Sequence, residues 1–151
     1  MNNKIITKYF LNTNESLVSL GLLFLRCIIG IILFMVGAGK VLGWFGGFGM
    51  NTTIQYFTKM GISIPLVYIS SYTEFLGGFL LIIGLVTRPT SVAVIINMIV
   101  ATVVMLPKGF IFGMADFPFT LLIISVVILF AGPQKYSLDY ILFRSDNSNQ
   151  L

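Results

Sequence analysis

Long apolar stretches alternate with short polar ones along this chain, and inside the stretches there is no alternation of period two. Continuous runs near the length of a bilayer predict membrane-crossing helices. A membrane barrel would instead show short strands with every second residue polar. Four runs stand out, at roughly 17–42, 64–86, 90–106 and 117–132. Pro65 suits an early helix position in the second. Arg88-Pro89 opens the third, Pro107 closes it, and Gly132-Pro133 stops the fourth. The fourth run is short against the ~20 apolar residues a bilayer needs, unless Phe110 to Met114 extend it with Asp116 near the interface. The predicted fold class is all-α membrane: a four-transmembrane-helix bundle over 17–143, with a polar tail at 1–16 and another at 144–151. Neither an internal repeat nor a second domain is evident.

Two further helices fit the connections. The segment Gly43–Ser63 opens with glycines and aromatics suited to the headgroup level. Ile54, Phe57 and Gly61 then share a face, as in a short interfacial helix. After the fourth run, Ser137 is placed to cap another, with Leu138, Ile141 and Leu142 as its apolar face and Asp139 favouring its N-terminus. The first run is too long for the apolar core of a signal peptide and lacks a clear cleavage site, so an uncleaved anchor is expected.

Composition narrows the possible chemistry. The 151 residues are 57% hydrophobic and 9% charged, with a net charge of +4. The basic residues cluster at the ends of the apolar runs, a membrane pattern with no sign of nucleic-acid binding. Lys4, Lys8, Arg88, Lys135 and Arg144 would share one side of the membrane, and Lys40, Lys59 and Lys108 the other. The larger set places both termini in the cytoplasm of a bacterial-type plasma (inner) membrane. There is one cysteine, Cys27, and no histidine. An internal disulfide, a CxxC pair, His-ligated haem and the usual His-containing metal sites are therefore excluded. No metal site and no catalytic nucleophile stand out, so a redox role would need a diffusible carrier or a partner's cofactor.

Polar residues inside the runs are the candidates for function, because ionisable groups in a membrane interior are costly. Glu74 has Ser70, Ser71, Gly77 and Gly78 three and four residues away, a small-residue stripe that suits helix packing. Arg26 lies on a row with Gly30, Leu33, Gly37 and Lys40. Asn97 has Ala93 and Ala101 on its face. Counting at about 1.5 Å per residue from the cytoplasmic ends puts Arg26, Glu74 and Asn97 within roughly one helical turn of a common level. The expectation is an Arg26–Glu74 ion pair with Asn97 and Tyr72 as hydrogen-bond partners. Two readings of it stand. It fixes helix register, or it holds a polar head group such as a quinone carbonyl or an organic acid. Lys40 with Asp116, and Arg88 with Asp139, are expected as structural pairs at the two membrane faces.

These residues fall into a pattern. Arg26, Gly30, Gly37, Gly39 and Lys40 are followed by Glu74-x-x-Gly77-Gly78, by Gly84-Leu85-x-Thr87-Arg88, and by Gly132-Pro133 with Tyr136-Ser137-Leu138-Asp139. In order and spacing the chain resembles the DoxX family of small four-helix membrane proteins over roughly 18–143. One branch of that family is similar to the small subunit of thiosulfate–quinone oxidoreductase. Another is associated with a superoxide dismutase and a sulfurtransferase. A related group carries paired cysteines that this chain lacks. The resemblance implies a quinone-linked component of sulfur or redox-stress metabolism. The alternatives are a scaffold that recruits a soluble or peripheral redox subunit, or a proton-coupled small-solute carrier. A quinone is the cofactor so implied, and an oligomer is compatible with all three readings.

Overall fold

A computed structural model describes residues 15–111, 114–133 and 136–147, with side chains through 142. Lys4, Lys8 and Lys135, and the side chain of Arg144, lie outside the described residues. The helices are α1 (Glu15–Leu42), α2 (Gly49–Thr58), α3 (Ile64–Ile83), α4 (Thr87–Met105), α5 (Asp116–Ala131) and α6 (Leu138–Asn147). A short 3-10 turn, Leu106–Lys108, follows α4, and no strand occurs among the described residues. α2 forms within the segment where a short interfacial helix was expected. The expected cap on α6 forms, with the Tyr140 N–H donating to Ser137 Oγ at 3.1 Å.

α1, α3 and α4 with its 3-10 turn are long and apolar enough to cross a membrane. α5 has 16 residues. That is about 24 Å of helix, shorter than the roughly 30 Å hydrocarbon core. Three of the four main helices therefore reach bilayer length. α1 packs most extensively on α3 and α5 on α4, and lesser contacts of α3 with α4 and α1 with α5 complete the cluster.

The packing follows from small residues. Ser71, Ser91 and Ser125 are fully buried, and each hydroxyl donates to the carbonyl one turn back in its own helix (Val67, Thr87 and Leu121). A hydroxyl satisfied in this way leaves the helix surface flat. Gly37 lies on the backbone of Glu74 and Phe75, and Gly78 on that of Gly30 and Phe34, where a Cβ would collide with main chain. Phe34 and Phe75 stack at 5.2 Å beside these contacts. The seam sets the antiparallel register of α1 and α3, and at its continuation Arg26 meets Gly84. Ile29, Leu33, Leu81, Val94, Met98, Leu121 and Ile128 form the apolar core. Large apolar side chains such as Phe24, Ile28, Phe79 and Val103 point outward, as helices facing lipid require.

Candidate functional site

Glu74 is buried on α3, with its side chain 4% exposed. Its partner is Lys40 of α1, whose Nζ lies 2.7 Å from Oε1 and 2.6 Å from Oε2. Asn97 of α4 donates from Nδ2 to Oε1 at 3.3 Å. Lys40 Nζ also stands 5.6 Å from the centre of the Phe57 ring of α2, a cation–π contact. Three core helices thus converge on one carboxylate, and α2 reaches its Lys40 partner. The ammonium has three N–H donors, and the two carboxylate oxygens engage no more than two of them.

This cluster forms the polar end of a cavity of about 350 Å³. The rest of the lining is mainly apolar and comes from all four main helices, with Leu33, Met98 and Leu121 deep and Ile69, Ile96 and Val100 at the rim. The rim residues are more than half exposed. α3 and α4 approach closely at Gly77, where a Cβ would touch Val94 and Thr90. Toward the other end of the bundle the two helices enclose the cavity. The Ala93–Asn97–Ala101 stripe lines it, so those small residues make room there.

The expected Arg26–Glu74 pair is not formed. Arg26 is buried on the predicted face of α1, but near the opposite end of the bundle. Its Nη2 donates to the Tyr136 carbonyl at 2.7 Å, and its guanidinium lies against Gly84, where a Cβ would not fit. α1 starts well before the α3–α4 turn, so counting residues from its beginning set Arg26 too deep. Lys40, on the same row of α1, reaches Glu74 instead. Tyr72 is 44% exposed and lines no part of the cavity.

The two expected structural pairs also find other partners. Lys40 is held by Glu74, while Asp116 opens α5, with its N–H donating to the Phe110 carbonyl and its own carbonyl accepting from Thr120. Asp139 is buried and accepts from the backbone N–H groups of Val86 and Thr87 at 2.7 and 2.8 Å. Its own N–H returns to the Gly84 carbonyl at 3.0 Å. Unpaired N–H groups at the start of a helix and its positive dipole end both attract a carboxylate. Those of α4 therefore capture Asp139, which was expected to favour its own helix. Arg88 is exposed, and its guanidinium lies on Gly132. Arg26 is within electrostatic reach of Asp139, so the last motifs of the sequence build one clasp around the α3–α4 turn.

The order of motifs and the helical architecture can now be set beside known proteins. The DoxX family profile matches residues 21–107. The chain belongs to the DoxX family. Over 132 residues it is 31% identical to "Putative oxidoreductase CatD" of Bacillus subtilis (strain 168), covering 87% of this chain and 94% of that protein. No solved structure matches. The matched span holds both Lys40 and the Glu74–Asn97 half of the cavity. Family membership and the apolar helices together point to a membrane protein.

Proposed function

We propose that this DoxX-family protein is a membrane component of a quinone-linked oxidoreductase, and that the quinone head group sits against Lys40, Glu74 and Asn97. One observation carries this reading: a cavity of about 350 Å³ with a mainly apolar wall, where an ammonium, a carboxylate and an amide gather at one end beside the small hydroxyl residues Ser70, Ser71 and Thr73. Small-ligand sites are commonly built this way, with an apolar wall and a few convergent polar groups that fix orientation. The exposed apolar rim between α3 and α4 suits a ligand whose tail stays in lipid. The remaining donor capacity of Lys40 suits a carbonyl oxygen, and the buried Glu74 can hold a proton or release one beside it.

Reduction of a quinone takes up two electrons and two protons. The chain contributes one cysteine and no histidine, so the electrons would come from a reduced donor held by a partner or bound as co-substrate. The name of the Bacillus relative is consistent with redox work. In this reading all four main helices traverse the bilayer, α5 with the help of the segment before it, and both termini face the cytoplasm.

The test is binding of a short-tailed quinone analogue to the purified protein. Lys40→Met and Glu74→Gln should each weaken it about tenfold or more, roughly 1.4 kcal/mol. Arg26→Lys, far from the cavity, should leave affinity unchanged. Equal affinity in all four proteins would remove the reading.

A further inference from the structure

Lys40 belongs to two spaces at once. On one side it walls the cavity beside Glu74. On the other it walls a more open cleft of about 330 Å³ beneath the aromatic segment 44–48. Gly39, Gly47 and Thr53 also line this cleft. It keeps its shape because the Gly47 backbone rests directly on that of Gly39, an approach that a side chain at Gly47 would prevent. Val36 and Lys40 line both spaces, and Lys40 carries the ammonium already bonded to the carboxylate.

The opposite direction is closed. Ile29, Leu33, Leu81 and Val94 are at most 1% exposed. They fill the bundle between the level of Glu74 and that of Arg26. Beyond them, Arg26 and Asp139 hydrogen-bond to backbone of the clasp. Around Glu74 itself, α1 contributes Lys40, α4 contributes Asn97, and α2 and α5 turn the apolar Phe57 and Leu121 toward the cavity. Asp116 opens α5. Lys40 is thus the one cation bonded to Glu74 among the described residues.

We propose that the cleft beneath residues 44–48 is the water and proton entrance to Glu74. Exchange then takes place with the membrane face that carries segment 43–63 and with no other. The inference rests on the quinone reading only for what the proton serves, because sided access to Glu74 is a property of the empty protein.

The Lys40–Glu74 contact supplies its own probe. A charged, membrane-impermeant carbodiimide adds to the Glu74 carboxylate. The Lys40 amine then attacks the acyl carbon and forms an amide, and the carboxylate oxygen leaves in the urea. Full-length protein is placed in liposomes, and its orientation is established by sided labelling of a terminal tag. The reagent is added to one face at a time. Loss of one water from the linked Lys40 and Glu74 peptides is read by mass spectrometry, with Lys40→Gln as the control that cannot link. The expected result is linkage from the 43–63 face and none from the other. Linkage from both faces, from the opposite face alone, or from neither would overturn the proposal. No quinone is added, so failure of quinone binding and failure of sided access are separate results.

Discussion

The two ends of this bundle bury the same kinds of charged group and use them differently. At one end Arg26 and Asp139 spend their hydrogen bonds on main chain: the Tyr136 carbonyl, and the Val86 and Thr87 N–H groups. At the other end Glu74 is bonded to side chains, Lys40 and Asn97, which also face open space. Backbone partners cannot move without moving a helix, whereas side-chain partners can turn toward a ligand. Burial of a charge alone therefore does not mark the functional end. The sharper criterion is what satisfies the charge and whether a cavity adjoins it.

The largest effect that would break this comparison is on stability. Asp139→Ala leaves two N–H groups of the α3–α4 turn without their acceptor and takes away the negative charge near buried Arg26. Breaking one partner of a buried charged network costs about 3 kcal/mol or more. Thermal unfolding in mild detergent should drop accordingly, while the fraction that remains folded binds the quinone analogue as before. A protein that keeps its stability and loses affinity would reverse the roles of the two ends.

Next in size is the pair at the cavity. Lys40→Met strands Glu74 beside apolar walls, so stability and ligand affinity should both fall, each by about 1–3 kcal/mol. The double substitution Lys40→Met with Glu74→Gln separates the two losses. Removing both charges should restore most of the stability, because a neutral amide needs no cation. Affinity should stay low, because the ligand has lost its ammonium donor. Affinity that returns together with stability would make the pair a register device. Arg26→Lys should cost about 1–2 kcal/mol of stability, since a point-charge ammonium cannot replace a planar fork. It should leave affinity unaltered, and calorimetric titration of both variants checks the contrast.

Much of this arrangement was legible in the residues. Continuous apolar runs located α1, α3, α4 and α5. The glycine row of α1 and Gly78 of α3 marked the seam where their backbones touch, and Ser137 announced the start of α6. The partner of Glu74 was hidden by a different variable. Periodicity gives the face of a helix, and Arg26 and Lys40 share one. The level along the axis depends on how far each helix projects past its neighbours, which residue counts from guessed ends do not record. α1 extends well beyond the α3–α4 turn, and that overhang exchanges one cation for the other. Asp139 illustrates a second limit. The free N–H groups that attract it belong to α4, and only the folded chain brings them within reach.

The smallest predicted effect concerns Val86, which links the clasp to backbone strain. Its φ is 50° and its ψ 42°, a left-handed conformation that costs a side-chain-bearing residue about 1–2 kcal/mol. The cost is greater still for a β-branched one, since both branches crowd the carbonyl. Val86 is 46% exposed, so its side chain contributes little by burial. The conformation persists because Asp139 holds the N–H groups of Val86 and Thr87 together. Val86→Gly removes the strain but loosens the unfolded chain, at a cost of about 0.5–1 kcal/mol. The net result should be stabilisation of about 0.5 kcal/mol, seen as a slightly higher unfolding temperature with no change in quinone-analogue affinity. The decisive form of the experiment is the cycle with Asp139→Ala. Without its carboxylate clamp the turn is free to open, and valine favours the open form more than glycine does. Val86→Gly should therefore recover less stability in the Asp139→Ala background than in the parent. Equal gains in both backgrounds would mean that the carboxylate and the strained residue act independently, and that the clasp is two separate contacts.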